Sequence, residues 1–285
     1  MKKIAFVIYR AWAYEICKEI TAFQKELPGF EVSLVVCPVA AEFDTSELEG
    51  VVAVKKLEGN NHEGIASVLS EYDIDIVCYY GWSWLVKEPV LSRYTCLCLH
   101  PSPLPRYRGG SPIQHQIIHG EEMSAVSIFK MGEGLDDGPL YCQVPFPLIG
   151  NLDEVFNQMV EKGIVLTESL IRDAVKDDLR FIPQDELEKH PPYKRRTKAE
   201  SELLLQNIAS MNFRDVYNFV RALTDPYPNA YITLQDCVIY IQEVEYIQQL
   251  PREALVLAFD TRPGNQALYM LTKDGYAYIT KYRVE

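Results

Sequence analysis

The chain has 285 residues, 48% of them hydrophobic, and a formal net charge of −12. That length and composition predict one large domain or two modest ones with a substantial apolar core, and no apolar run is long enough to suggest a membrane span. Seven cysteines without regular spacing argue against a disulfide framework and favour a reducing, cytoplasmic location.

Apolar runs and helical patterns alternate through the first hundred residues. Strands are predicted at 3–9, 30–36, 51–55, 74–80 and 95–99, and helices at 13–27 and 64–71. This alternation predicts an α/β fold with a doubly wound, mostly parallel sheet. No Gly-x-Gly-x-x-Gly follows the first strand, so a dinucleotide cofactor is not expected.

The rest of the chain divides into a long helix, a polar stretch and a β-rich end. A helix is predicted at 152–177 and another at 213–223, followed by five short apolar segments separated by turn signals. The predicted domains are a catalytic domain at 1–182, a linker at 183–202 and a small all-β domain with one helix at 203–285.

Two polar stretches each follow an apolar strand. His100 ends the strand at 95–99 and opens a proline-rich loop, and Asp136 lies in the loop after the apolar run 125–129. A lone histidine is most often a half-buried residue with its hydrogen bonds satisfied. A strand-end histidine and a later loop carboxylate are instead the parts of a base and its orienting group, which indicates an active site.

The same stretches carry a family resemblance. His-Pro-Ser-x-Leu-Pro-x-Tyr-Arg-Gly at 100–109 and Gly-Leu-Asp-x-Gly at 134–138 resemble the signature of the folate-dependent formyltransferases, and the resemblance covers nearly the whole chain. The C-terminal segments 195–197 and 220–230 are most similar to the sugar N-formyltransferases and methionyl-tRNA formyltransferases. The resemblance implies a Rossmann-like catalytic domain and a C-terminal open barrel similar to an oligonucleotide-binding fold.

The reaction implied is transfer of a formyl group from N10-formyltetrahydrofolate, a co-substrate, to a primary amine, with no metal. His100 and Asp136 are the expected catalytic pair, with His100 as base and Asp136 orienting it. Residues expected near folate are Gly81, Trp82, Trp84, Leu85, Gly134, Leu135 and Asp137. Residues expected near the acceptor are Arg10, Trp12, Ser102, Arg108, Gly109 and Gln114. For Arg10, a role in capping local carbonyls competes with phosphate binding, and Trp82 and Trp84 fit a core position as well.

Cys98 departs from the family pattern, which has asparagine two residues before the histidine. Residues i and i+2 of a strand share a face, so Cys98 is expected in the site, where asparagine would bind the oxyanion. Three roles stay open for the thiol: a weak oxyanion donor, a passive small residue, or a nucleophile.

The acceptor predicted from the resemblance and the acidic balance is a nucleotide-linked amino sugar, of the kind used in surface polysaccharide biosynthesis. No nucleic-acid or membrane partner is expected, because a tRNA enzyme needs a basic face, and a homodimer is favoured. The basic cluster at 189–198 is interpreted as a solvated linker. The alternatives are a methionyl-tRNA formyltransferase, a family member that binds folate or a nucleotide sugar without turnover, and an enzyme that formylates a peptide or carrier-bound amine.

Overall fold

The secondary structure follows the predicted alternation. A computed structural model describes residues 1–41, 43–59, 61–184, 190–252, 254–258, 260–264 and 266–285. Its elements are β1 Lys2–Ile8, α1 Ala11–Phe23, β2 Phe30–Pro38, β3 Ala53–Leu57, α2 His62–Ser70, β4 Ile76–Tyr80, α3 Val90–Arg93, β5 Thr95–His100, α4 Pro112–Ile118, β6 Met123–Lys130, β7 Leu140–Pro147, α5 Leu152–Val175, α6 Leu205–Ile208, α7 Phe213–Arg221, β8 Ala230–Thr233, β9 Val238–Ile247, β10 Leu255–Val256, β11 Leu268–Thr272 and β12 Gly275–Val284.

Seven strands form the first sheet, in the order β3-β2-β1-β4-β5-β6-β7. Strands β1 to β5 pair in parallel, and β6 and β7 are antiparallel additions. The chain runs from β1 to β2 on one side and returns to β4 on the other, so the strand order reverses between β1 and β4. Ligands of doubly wound sheets bind at the carboxyl ends of the strands beside such a reversal. The predicted fold class of this region is confirmed.

One strand of this sheet was not predicted from the sequence. β7, at Leu140–Pro147, contains Pro145 and Pro147, and proline cannot donate to a sheet ladder. β7 is an edge strand, where a missing donor costs little, so it pairs with β6 through its other groups. The long helix, predicted at 152–177, is confirmed as α5 at Leu152–Val175.

The chain divides into two compact units. One comprises Met1–Gly109, Met123–Pro147 and Val155–Tyr193, and the other comprises Gly110–Glu122, Leu148–Glu154 and Lys194–Glu285. The second unit holds a mostly antiparallel sheet in the order β10-β11-β12-β9-β8, and helix α7 packs against β9. The predicted linker at 183–202 includes residues 185–189. Of the predicted β-rich end, one apolar segment, at 255–259, includes residue 259, and one turn signal, at 262–265, includes residue 265; all of these residues lie outside the described ones.

The N-terminus of α4 is not capped in the way that its sequence suggests. Ser111 and Pro112 resemble a capping serine followed by a first-turn proline, and Pro112 is indeed the first helical residue. Ser111, however, is left-handed, with φ of 52°, and its side chain caps no helical N–H. Its hydroxyl accepts a hydrogen bond from the Arg196 backbone N–H at 3.1 Å within the same unit, so a tertiary contact replaces the local cap.

Candidate active site

β5 brings His100 to the carboxyl edge of the first sheet. The side chain is 8% exposed, and its Nε2 lies 2.9 Å from the Tyr107 carbonyl oxygen. A carbonyl only accepts hydrogen bonds, so Nε2 carries a proton and donates it. In the neutral ring Nδ1 is therefore the basic nitrogen, and the carbonyl of Tyr107 fixes the orientation of the ring.

The carboxylate of Asp136 lies beside that basic nitrogen. Asp136 Oδ2 is 3.6 Å from His100 Nδ1, and the same oxygen accepts a hydrogen bond from the Gly109 N–H at 2.8 Å. The Nδ1–Oδ2 separation is long for a direct hydrogen bond but suits an ion pair. A proton taken up by Nδ1 is thus stabilised by the carboxylate. The sequence predicts that Asp136 orients the ring and accepts a hydrogen bond from it or from a bridging water, and the structure adds a direct hydrogen bond from the ring to the Tyr107 carbonyl.

Gly109 is required by the close approach of a neighbouring strand-like segment. Its φ is +93°, and a Cβ at this position would lie 2.2 Å from the Tyr193 carbonyl oxygen. Tyr193 also donates its N–H to the Arg108 carbonyl at 2.8 Å. Only glycine fits here, and this geometry directs the Gly109 N–H at Asp136.

The loop after His100 is closed by three side chains, of which the sequence indicated only Ser102. The Ser102 hydroxyl donates to the Arg106 carbonyl at 2.7 Å. Ser127 on β6 donates to the Ser102 carbonyl at 2.5 Å, and Gln143 on β7 donates to the Leu104 carbonyl at 2.8 Å. Ser102, predicted near the acceptor, is fully buried with its hydroxyl used inside the loop.

Cys98 precedes His100 by two residues on β5, and the residue as a whole is half-buried. Burial raises the pKa of the Cys98 thiol well above its ordinary value, and the nearby Asp136 charge raises the pKa further. The thiol therefore stays protonated near neutral pH. Its Sγ lies 3.7 Å from the Leu99 carbonyl, so this cysteine has the character of a neutral, weak donor.

The residues predicted near folate lie on two loops. After β4, Gly81 has φ of +61° beside Arg10, and the ring centroids of Trp82 and Trp84 are 4.8 Å apart. Trp84 also contacts the ring of Tyr9 at the end of β1, with centroids 5.1 Å apart. Leu85 is 52% exposed. Gly134 and Leu135 are exposed and Asp137 is half-buried in the loop that carries Asp136.

A cavity of about 610 Å³ opens between α2, β4 and α3. Its walls include apolar Ile65, Val86 and Val90, and its polar side includes His62 and Lys87.

Tyr79 also lines this cavity. It is 1% exposed, and its hydroxyl has no hydrogen-bond partner among the described residues. Tyr79 pairs in register with Cys98 on the next strand, so the cavity lies one strand away from Cys98. The sequence did not predict this cavity, although one of its lining residues, Val86, directly follows Leu85, which was predicted near folate.

The residues predicted near the acceptor lie on several different elements. The Arg10 guanidinium lies 4.6 Å from the centre of the Tyr9 ring, while the Arg10 carbonyl accepts the first hydrogen bonds of α1. Trp12 is half-buried on α1. Arg108 donates to the His190 carbonyl at 2.7 Å. Gln114 is 2% exposed and belongs to the second unit.

The described residues also bear on metal binding and membrane insertion. There, no three His, Cys, Asp or Glu side chains are grouped as a metal site would need. No helix of that part of the chain combines the length and apolar character needed to cross a bilayer.

Residues 30–165 match the family model described as formyl transferase. Methionyl-tRNA formyltransferase of Rickettsia bellii is 31% identical over 191 residues, which are 65% of this chain and 60% of the relative. The chain thus spans about 60% of the length of the curated relatives it matches.

Solved structures share the fold at low identity. A sugar N-formyltransferase from Shewanella superposes with a TM-score of 0.69 at 18% identity, covering 85% of this chain and 97% of that one. HypX from Aquifex aeolicus, solved in complex with tetrahydrofolic acid, gives a TM-score of 0.70 at 17% identity over 98% of this chain and 44% of its own.

Proposed function

This chain belongs to the folate-dependent formyl transferase family, and from that premise we propose that it moves a formyl group from N10-formyltetrahydrofolate to the primary amine of a nucleotide-linked amino sugar. The observation that carries the proposal is the pair formed by His100 Nδ1 and Asp136 Oδ2, 3.6 Å apart at the carboxyl edge of the sheet. A base with an adjacent carboxylate is what attack by an amine on a formyl carbon requires.

The proposed reaction uses the two nitrogens of His100 differently. The neutral amine attacks the formyl carbon, and the ammonium proton of the tetrahedral intermediate passes to Nδ1. The resulting imidazolium donates from Nε2 to the Tyr107 carbonyl and is paired at Nδ1 with Asp136. When the carbon–N10 bond breaks, the imidazolium gives its Nδ1 proton to N10, tetrahydrofolate leaves and His100 is neutral again. The neutral Cys98 thiol supplies at most a weak hydrogen bond to the oxyanion.

We propose the cavity beside Tyr79 as the place for the folate ring system. Its volume of about 610 Å³ and its apolar walls suit a flat heterocycle. The unpartnered Tyr79 hydroxyl supplies a hydrogen bond to such a ring. The register between Tyr79 and Cys98 supports this placement, because it brings the carrier within one strand of the proposed catalytic pair.

Charge and loop length support a sugar rather than a tRNA acceptor. Only Tyr9 and Arg10 separate β1 from α1, a position where the tRNA enzymes are expected to carry a basic insertion. In the basic cluster, Arg196 lies over the Phe219 ring at 5.7 Å and Lys198 over the Tyr240 ring at 5.2 Å. These cations are engaged within their own unit, and the net charge is −12.

Methionyl-tRNA formyltransferase is the second candidate, because the curated relatives carry that activity in their names. The test is incubation with N10-formyltetrahydrofolate and either a panel of nucleotide-linked amino sugars or methionyl-tRNA, read by mass spectrometry. A gain of one formyl group on a sugar supports the proposal, and a gain on the tRNA alone overturns the choice of acceptor. No gain on any acceptor, with folate binding shown separately, favours a family member without turnover.

The catalytic pair is tested with His100→Asn and Asp136→Asn. Each change is expected to lower kcat at least about a hundredfold, the usual effect of losing a general base or its partner. The KM for folate is expected to change little, because neither side chain lines the proposed folate cavity. Unchanged kcat in either variant would remove that residue from the mechanism.

A further inference from the structure

Gln184 holds the loop that carries Asp136. It follows a short bridge in which Ile182 and Leu140 exchange hydrogen bonds of 2.8 and 2.7 Å. The Gln184 side chain is buried, at 5% exposure, and its Nε2 donates to the Asp136 carbonyl at 2.9 Å and to the Gly138 carbonyl at 2.8 Å.

The chemistry of this contact defines which end of the amide faces the loop. Both partners of the Gln184 amide are carbonyl oxygens, which only accept. The NH₂ group must therefore face them, and it uses both of its hydrogens there. These two hydrogen bonds flank Asp137 and fix three consecutive residues from a segment 46 to 48 positions further along the chain.

Another side-chain donor to this loop is Arg108, whose Nη1 lies 3.5 Å from the Leu135 carbonyl oxygen. Residues 132–135 are exposed, and Asp136 has a left-handed φ of 50°, which is unfavourable for aspartate without support. Its carboxylate must nevertheless stay 3.6 Å from His100 Nδ1 and 2.8 Å from the Gly109 N–H.

We propose that Gln184 is a positioning residue, which sets the distance between Asp136 and His100 by holding the backbone on both sides of Asp137. This inference rests on the proposed formyl transfer, because it assigns Gln184 a task within that mechanism. A shift of about 1 Å in a catalytic group is enough to lower a rate by up to a hundredfold.

The test replaces Gln184 by methionine, which keeps the length and removes both donors. We expect Gln184→Met to lower kcat about ten- to hundredfold and to change the KM for folate and amine less than threefold. Gln184→Asn, which retains the NH₂ on a shorter side chain, is expected to recover part of kcat.

The matched control is Gln24→Met. Gln24 accepts a hydrogen bond from the Val32 N–H at 3.2 Å in the same unit, at the opposite end of β2 from the carboxyl edge. The Gln24→Met variant is expected to have a slightly lower Tm and an unchanged kcat. A Gln184→Met protein that loses Tm but keeps kcat per folded molecule would overturn the inference.

A second readout is independent of turnover. The ¹⁵N signals of the His100 ring, assigned with His100→Asn, are compared in wild type, Gln184→Met and Asp136→Asn. A Gln184→Met spectrum that moves towards Asp136→Asn supports the inference, and one identical to wild type overturns it. If wild-type protein formylates no acceptor, the proposed function fails, and this comparison still decides the role of Gln184.

Discussion

His100 shows how a single backbone carbonyl assigns tasks to the two ring nitrogens. Because the Tyr107 carbonyl can only accept, it accepts a hydrogen bond from Nε2–H and leaves Nδ1 facing Asp136. Tyr107 itself has a left-handed φ of 57°, which turns its carbonyl back towards the strand end. The sequence motif predicts that His100 and Asp136 lie in the site. It does not predict the hydrogen-bond partner of Nε2, because that partner is a backbone carbonyl, which every residue has.

Cys98 is predicted to react slowly with iodoacetamide. Burial and Asp136 raise the pKa of its thiol, so the reactive thiolate is scarce at pH 7.5 and accumulates only well above pH 9. Peptide mapping by mass spectrometry is expected to find the exposed Cys142 modified first. Rapid alkylation of Cys98 at pH 7.5 would contradict the neutral thiol. Cys98→Ala is expected to retain turnover, because a neutral thiol is not the nucleophile. Loss of all activity in Cys98→Ala would instead favour a covalent step.

Gly109→Ala is predicted to damage both stability and activity. The new Cβ would meet the Tyr193 carbonyl oxygen at 2.2 Å, and φ of +93° is strained for alanine. We expect the free energy of unfolding to fall by about 2 kcal/mol or more, and kcat to fall because the N–H moves away from Asp136. Urea denaturation and steady-state kinetics measure the two effects.

Gly50→Ala is the matched control for Gly109→Ala. Gly50 has a nearly equal φ of +90°, but a Cβ there meets no described atom within 4 Å. It is expected to cost only about 1 kcal/mol, from backbone strain alone, and to leave kcat unchanged. Equal losses in both variants would show that the contact with Tyr193 is unimportant.

At the scale of elements, β4 and α5 are joined by a buried hydrogen bond. The Thr167 hydroxyl donates to the Gly163 carbonyl at 2.7 Å, so it accepts from the Tyr80 hydroxyl, 3.0 Å away. Both residues are fully buried. The helical pattern of α5 was predictable, but which strand its polar Thr167 would meet depended on the packing of the helix on the sheet.

Thr167→Val is predicted to destabilise the protein by about 1–3 kcal/mol, because the Tyr80 hydroxyl is left buried without its partner. Thr167→Ser, which keeps the hydroxyl, is expected to cost clearly less, and Tyr80→Phe combined with Thr167→Val is expected to recover part of the loss. Chemical denaturation of the four proteins measures this. Equal stability of the valine and serine variants would mean that the hydrogen bond contributes nothing.

At the scale of the whole molecule, net charge separates the two acceptor classes. A protein that binds tRNA neutralises phosphates and releases counterions, so its affinity falls steeply with salt. The net charge of −12 disfavours such binding, and among the described residues of the basic cluster Arg196 and Lys198 pack over aromatic rings.

We therefore predict that kcat/KM for the sugar acceptor changes less than about threefold between 50 and 200 mM NaCl. An acceptor bound through the usual number of nucleic-acid phosphate contacts would instead lower kcat/KM by a factor of about a thousand or more over this range. Steady-state kinetics over this range, with potassium acetate as a second salt, tests the prediction. A steep decline would favour the tRNA acceptor.

The sequence by itself determined the alternating elements, the parallel sheet and the positions of His100 and Asp136. Each of these depends on local periodicity or on a short contiguous motif. The edge strand β7 was not predicted, because its two prolines are unfavourable in a strand by local sequence pattern.

The contacts that orient the His100 ring and position the Asp136 loop depend on the tertiary structure. The carbonyl of Tyr107, the amide of Gln184 and the cavity wall formed by Tyr79 act through contacts that a one-dimensional pattern does not encode. Gln184 lies 48 residues from Asp136 along the chain and is joined to it through the folded backbone. Such contacts exist only once the strands have paired in register, which is the physical reason why a sequence motif predicts the proposed reacting groups but not the groups that contact them.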